Sequence, residues 1–290
     1  MQSHFRYSTG GRWFKGNTHI HTPASDGGTP AEQVGRLYRR AGYDFLFRTD
    51  HWALAQSAGA VDSVLWLDGV ELDGPDEAGS YYHVVCLGTL KGVTREMGLP
   101  AALDAAREQG ALTVLAHPYW TGNTPDDALR HEFDGVEIYN HVCRWLNGKS
   151  DGGIHWNAML RQRPATLAFA SDDAHLRPEH PGWNGGWIVV NAPELSAPAI
   201  IQSIRRGNYY SSCGPDFHSI EYDGTAVHIR TSPVQFVRLA GPGYLGVQRG
   251  SFDGVLRAET SIPIPRDWPY AYIEIEDAAG RRAWTNGLFV

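Results

Sequence analysis

Several stretches of this chain are apolar at almost every position and end, at their C-terminal edge, in a histidine or a carboxylate. Leu112-Thr113-Val114-Leu115-Ala116 runs into His117-Pro118, and Phe45-Leu46-Phe47-Arg48 into Thr49-Asp50-His51. Gly69-Val70 leads to Glu71, and residues 165–170 run into Ser171-Asp172-Asp173-Ala174-His175. Runs without polar alternation belong to strands covered on both faces, as in parallel sheets. Helical periods lie between them. Val34, Leu37, Tyr38 and Ala41 recur at helical spacing behind Thr29-Pro30-Ala31-Glu32, which reads as a capping box with Gly42 as the stop. Pro100 opens a second helix, with Leu103 and Ala106 inward and Gly110 closing it, and residues 196–206 form a third. Strand and helix alternate about seven times through residue 213, which predicts an α/β barrel. The C-terminal rim of such a barrel is where sites assemble. Residues 187–191 read as its last strand.

Beyond Gly214 the helical period disappears. Residues 218–222, 226–231, 235–239, 255–260 and 270–276 read as short strands, separated by turns such as Asp223-Gly224 and Ala279-Gly280. The expected organisation is a barrel over residues 1–213 and a small all-β module over 214–290.

The formal net charge is −7 and no lysine- or arginine-rich run occurs, which argues against nucleic acid as a partner. Cys86, Cys143 and Cys213 are too scattered for a disulfide framework or a thiolate zinc site, and favour a reducing compartment. The first fifteen residues lack a signal-peptide core and no apolar run has membrane-spanning length. A cytoplasmic protein with no membrane partner is expected.

Histidine is the unusual residue, with 13 in the chain. His19 and His21 leave the same face of a strand, and Asp26 follows in a glycine turn. Alone, such a pair is as easily core packing as ligation. Collecting the strand-end groups gives His19, His21, Asp26, His51, Glu71, His83, His117, Asp173 and His175. Asp173 and His175 share a face, whereas Asp172 points away. This set is too large for one ion and suits two or three, with carboxylates bridging. Adjacent ions generate hydroxide at neutral pH and clamp the oxygens of a phosphoryl or acyl group.

In order along the chain, His19-x-His21 with Ser25-Asp26-Gly27, Thr49-Asp50-His51, Gly69-Val70-Glu71, Ala116-His117-Pro118 and Ser171-Asp172-Asp173-Ala174-His175 resemble the successive motifs of the PHP (polymerase and histidinol phosphatase) family. The resemblance spans roughly residues 13–190. It implies a distorted (β/α)7 barrel holding two or three Mn, Fe or Zn ions and, for most members, phosphoester hydrolysis. Tyr272-Ile273-Glu274 and Ala283-Trp284-Thr285-Asn286 add a likeness to the carbaryl-hydrolase-related branch. Carried over by motif, His19, His21, Glu71 and Asp173 would hold one ion. Glu71 would bridge to a second at His83 and His117, and Asp26, His51 and His175 would hold a third. Asp26 stands where many members use histidine.

The expected function is a metal-dependent hydrolase of a small phosphorylated substrate, a phosphomonoester or phosphodiester. A metal-bridging hydroxide near Glu71 would attack phosphorus, with Asp173 as the candidate proton carrier. A carbamate or aryl-ester hydrolase with the same centre is the alternative, and a non-catalytic metal-binding scaffold the third reading. Arg144 and Arg177 are candidate substrate-binding groups, because guanidinium forks suit phosphate oxygens. Asp50, Glu137 and His141 are candidates to orient the ligands through hydrogen bonds. Arg48 needs a partner in its strand, and Asp50 is two residues on. Trp120, Trp183 and Trp187 read as packing, and His4, His131, His155, His180, His218 and His228 lie outside any motif.

Overall fold

In the computed structural model, which describes residues 4–8, 10–54, 59–61 and 64–290, the buried apolar runs become strands of one large mixed sheet. In chain order the elements begin β1 (Arg12–Asn17), α1 (Ala31–Arg40), β2 (Phe45–Arg48), β3 (Gly59–Val61), β4 (Val64–Pro75) and β5 (Tyr81–Leu87). A 3-10 turn (Arg95–Met97) then leads to α2 (Leu99–Glu108), β6 (Leu112–Leu115), α3 (Pro118–Thr121), α4 (Pro125–Arg130) and β7 (Gly135–Asn140). Next come α5 (His141–Asn147), α6 (Gly153–Gln162), β8 (Leu167–Ser171), β9 (Trp187–Ala192), α7 (Ala197–Arg205) and β10 (Tyr209–Ser212). The remaining strands are β11 (Phe217–Tyr222), β12 (Ala226–Val234), β13 (Phe236–Ala240), β14 (Gly246–Gly250), β15 (Arg257–Pro263), β16 (Tyr272–Glu276) and β17 (Arg282–Thr285).

The sheet differs from a (β/α)7 barrel in two ways. First, it is mixed. β1, β2 and β4 are parallel, β5 runs antiparallel to both β4 and β6, and β6, β7 and β8 are parallel again. The reversal has a simple cause. Residues 76–80 form a tight turn, with Asp76 N–H bonded to the Ser80 carbonyl at 2.9 Å. A connection this short can only return the chain antiparallel, because a parallel crossover needs a dozen residues or more. Residues 187–191 are likewise no parallel closing strand, since β9 pairs antiparallel with β1.

Second, the sheet is open, with β8 at one end of the strand order and β14 at the other. Polar side chains take the place of a ladder along β8. The Ser211 hydroxyl accepts from Ala170 N–H at 3.0 Å and donates to the Ala168 carbonyl at 2.8 Å. Asn286 Oδ1 takes the Ala168 N–H at 2.8 Å. Just past the ends of β1 and β8, a single bridge joins Ile20 to Ala174, and it sets the two strand ends side by side.

From β9 the sheet continues antiparallel through β10, β17, β16, β13 and β14. β11, β12 and β15 form a separate antiparallel sheet, and Phe5 bridges to Phe289. β14 and β17 are strands that the patterning did not mark.

The α1 capping box does not form. Pro30 is the N-cap, and the Thr29 hydroxyl donates to the Leu176 carbonyl at 3.1 Å, while Glu32 pairs with Arg36. The hydroxyl is turned to a tertiary acceptor and caps no helix N–H group. Among the described residues, no helix is long and apolar enough to cross a membrane.

Two buried carboxylates brace this framework. Asp172 accepts from Asn17 Nδ2 (2.8 Å), Tyr38 Oη (2.7 Å) and the backbone N–H groups of Asn184 (2.8 Å), Gly185 (2.7 Å) and Gly186 (2.9 Å). It therefore ties β8 to β1, to α1 and to the loop before β9. Asp172→Ala strands these donors and is expected to cost about 3–5 kcal/mol in urea unfolding; a loss below about 1 kcal/mol would remove Asp172 from this role.

Asp76 is the second. Burial raises its pKa, but the Arg130 guanidinium (2.8 Å) and the N–H groups of Ser80 and Ala78 outweigh this and bring it down to about 2. A carboxylate held below its unfolded value stabilises the fold above the unfolded pKa, and that stabilisation is lost as pH falls through the folded one. Asp76→Asn should therefore destabilise the protein at pH 7, and the difference from wild type should shrink between pH 4 and pH 2. Urea melts of both proteins across that range make the comparison.

Candidate metal centre

β4 carries Glu71 to the middle of the rim, with both carboxylate oxygens buried among imidazoles. Its Oε2 lies 3.1 Å from His19 Nε2, 3.2 Å from His21 Nε2 and 3.2 Å from His51 Nε2. Oε1 lies 2.8 Å from His83 Nδ1 and 3.3 Å from His117 Nε2. His19 and His21 follow the end of β1 and share a face, as strand alternation requires. His51 and His117 follow β2 and β6, and His83 projects from β5 opposite Asp73 in the β4–β5 register.

The second anchor is Asp173, just past β8. Its Oδ1 lies 3.4 Å from His19 Nε2 and 3.1 Å from His21 Nε2, and its Oδ2 is 3.7 Å from His117 Nε2. Asp26 completes an outer corner, 3.4 Å from His21 Nδ1 and 3.1 Å from His175 Nε2. Asp173 and His117 both adopt left-handed backbone, with φ of 57° and 27°. Non-glycine residues rarely do so, and such strain concentrates at functional sites.

Other carboxylates hold the imidazoles from behind. Glu137 takes His19 Nδ1 at 2.8 Å and also accepts from His117 N–H, Asn140 Nδ2 and the Ser171 hydroxyl. Asp50 accepts from Thr22 N–H (2.6 Å) and from the Thr22 and Ser25 hydroxyls, and so clamps the His21–Asp26 turn. It also faces Arg48 Nε at 3.6 Å. His141 is not part of the cluster; its Nδ1 meets the Tyr139 hydroxyl at 3.2 Å and its ring packs on Gly185.

Asp73 plays the same orienting part and was missed in the sequence. It faces His51 Nδ1 at 3.1 Å and accepts from Trp52 Nε1, the Tyr81 hydroxyl and Arg95. The available signal was its position two residues after Glu71, on the same strand face.

A cleft of about 250 Å³ opens onto this cluster, with Asp26, His51, Glu71, His83, Asp173 and His175 on its polar side. Trp120, Val142, Cys143 and Leu146 form an apolar wall, and His180 closes the rim beside His175. Trp183 and Trp187 pack instead against the core around Tyr38. Arg144 is exposed, and neither it nor Arg177 lines the cleft.

The fit to metal can be tested on the donors themselves. His19 Nε2, His21 Nε2 and Asp173 Oδ1 are buried and have no hydrogen-bond partner, although they converge. Buried polar atoms left in this state are costly unless something satisfies them. Ligand atoms from His19, His21 and Asp173 lie within 4.8 Å of one another, as do those of His19, Glu71 and His117. The same holds for His21, His51 and Glu71, and for His21, Asp26 and His175. Imidazole nitrogens and carboxylate oxygens in this arrangement suit divalent transition ions.

No protein-family model and no curated protein sequence matches the chain. Among solved structures, it is similar to a two-domain protein from Bacteroides vulgatus, described as containing a predicted PHP-like metal-dependent phosphoesterase. The two superpose with a TM-score of 0.54 at 14% identity, over 99% of this chain and 98% of that one. The fold is PHP-like. A candidate metal-dependent phosphoesterase from Bifidobacterium adolescentis gives a TM-score of 0.39 at 10% identity, over 56% of this chain and 89% of that one. The PHP-like fold brings strand ends to one rim, and the cluster lies there.

Electrostatics set the protonation of the metal-free cluster. Burial lowers the His19 and His21 pKa values, but Asp173 and Glu71 outweigh it. His19 rises well above the usual imidazole range, and His21 rises to about 9. Burial acts on Glu71 and Asp173 in the opposite sense and is again outweighed, here by the imidazoles, so both carboxyls stay ionised. Since a ligating imidazole must be neutral, loading manganese or zinc at pH 7.5 should displace about one proton or more per protein. Calorimetric titrations in buffers of different ionisation enthalpy measure this, and binding without proton release would exclude His21 as a ligand.

Proposed function

We propose that the chain is a metal-dependent phosphoesterase of the PHP type, acting on a small phosphomonoester or phosphodiester. The observation that carries this reading is the convergence of His19 Nε2, His21 Nε2 and Asp173 Oδ1, buried and without a well-formed hydrogen bond, beside Glu71 Oε2, a donor set that a cation satisfies. His19, His21, Glu71 and Asp173 would hold one ion, with His83 and His117 serving a second through Glu71. Asp26, His51 and His175 would serve a third. Two or three Mn, Fe or Zn ions are the fitting occupants, and when bound they supply an activated water and positive charge against phosphoryl oxygens.

The chain's own groups do the rest. Glu71 is the shared acceptor around which the imidazoles are set. Asp173 turns Oδ1 to the cluster as its ligand atom, and Oδ2, 3.3 Å from Asn140 Nδ2, is the oxygen that can take a proton from an attacking water. Glu137 and Asp73 fix ring orientation and Asp50 clamps the turn that carries Asp26, effects worth about 10–100-fold in metal affinity or activity when such partners are removed. Trp120, Val142 and Leu146 give one side of the cleft an apolar surface.

The likeness to the carbaryl-hydrolase-related branch rests on segments that form β16 and β17, where Trp284 Nε1 donates to Glu274 at 2.7 Å. That contact braces the sheet and does not touch the cleft, so it leaves the phosphoester reading unchanged.

Metal-analysed protein assayed on phosphomonoesters, phosphodiesters, carbamates and aryl esters tests this directly. Phosphoester turnover is expected, falling by at least about a hundredfold in Asp173→Asn. Turnover of carbamates or aryl esters alone would replace the proposal with that chemistry.

A further inference from the structure

Of the imidazoles lining the cleft, His180 differs from the rest. His51, His83, His117 and His175 each face a carboxylate, whereas among the described residues the polar side-chain contact of His180 is to a cation, with the rings of His175 and Trp145 beside it. Arg177 and His180 close a tight hairpin through Pro178-Glu179: His180 N–H donates to the Arg177 carbonyl at 3.0 Å and Arg177 N–H to the His180 carbonyl at 3.3 Å. Their side chains lie together, with Arg177 Nη2 3.3 Å from His180 Nδ1. A guanidinium has no acceptor and keeps its charge in proteins. His180 Nδ1 must therefore accept, and the ring hydrogen sits on Nε2.

The arm behind this contact is held in place. The Arg177 stem crosses Gly28 so closely that a Cβ there would come within 2.8 Å of Arg177 Cγ. Its Nε is buried and unpartnered. Arg177 is outside the cleft lining, and among the described lining residues there is neither arginine nor lysine. The His180 ring stands nearly perpendicular to that of His175, with centroids 5.4 Å apart, at the edge of the cluster.

We propose that His180 binds substrate, donating from Nε2–H to an anionic oxygen of the ester head group, and that Arg177 is a positioning residue that fixes its tautomer. The inference rests on the phosphoesterase reading and gives it a substrate contact. The ring keeps its proton and no bond is made or broken. Arg177 thus serves the anionic group through His180, without reaching it directly.

Imidazole NMR and phosphate-binding calorimetry test it. Heteronuclear NMR of the imidazole nitrogens in the metal-free protein should show His180 as the Nε2–H tautomer, and a mixture in Arg177→Met. Inorganic phosphate binding to the metal-loaded protein, followed by calorimetry, should weaken about tenfold to a hundredfold in His180→Phe at unchanged metal content. His180→Gln, which keeps a donor, should recover most of the affinity. Adding Arg177→Met to His180→Phe should change nothing further, since the two act through one contact.

Unchanged phosphate affinity in His180→Phe, or an Nδ1–H tautomer in wild type, would overturn the proposal. Loss of bound metal in His180→Phe would do so too, by making His180 a ligand. Absence of phosphoester turnover in wild type would defeat the functional reading instead, while the tautomer and phosphate binding would still judge His180.

Discussion

One buried carboxylate organises the rim of this protein. Glu71 faces imidazoles supplied from the ends of β1, β2 and β6 and from β5, so the β1–β2–β4–β5–β6 order is also the order of its partners. Removing a carboxylate from water disfavours its ionised form, and in isolation Glu71 would be protonated. The surrounding imidazoles reverse that balance and hold it charged. His19 and His51 contribute most, and the hairpin at residues 76–80 adds His83. By returning the chain directly, the turn places His83 across the register from Asp73, within reach of Glu71, where a helical crossover would have carried β5 elsewhere.

Around this centre the structure repeats one device. Glu137 stands behind His19, and Asp73 behind His51. Asp50 stands behind the turn that carries Asp26. A carboxylate on the far nitrogen fixes both tautomer and ring angle, which makes the near nitrogen a directed ligand. His117 reaches the same end by a different route. Its left-handed backbone swings it off β6, its Nδ1 meets the Thr121 hydroxyl, and its own N–H is held by Glu137. The strained residues are held by buried hydrogen bonds, His117 N–H to Glu137, and Asn140 Nδ2 and His175 Nδ1 to Asp173.

Most of the clustered residues were legible in the sequence because they close apolar runs, while His83 lies within β5 and Asp26 in a turn, and strand alternation fixes which neighbours share a face. That logic separated Asp173 from Asp172: the structure turns Asp172 into a brace for β1, α1 and the loop before β9, and leaves Asp173 with the imidazoles. The same logic, applied one step further, would have found Asp73. What periodicity could not carry was strand direction. A strand reads the same whether its neighbour arrives by hairpin or crossover, so β5 and β9 looked parallel. Closure was equally hidden, because it turns on single side chains such as Ser211 and Asn286 that occupy backbone groups along β8. His180 lies in a two-residue hairpin with no apolar run before it, and only the fold brings it beside His175.

The charge balance at the rim also bears on how such a cluster can fold at all. Several carboxylates packed at one rim without counter-charge would repel one another and resist burial. Here the carboxylates raise the affinity of His19 and His21 for protons, and the resulting imidazolium groups hold Glu71 and Asp173 ionised in return. Protons therefore occupy the positions that divalent ions would take. On the proposed reading, metal entry would be an exchange of protons for ions within a framework already paired. In such a site metal affinity is tied to pH through the same two histidines that open the motif, and the orientation of their rings is settled before any ion arrives.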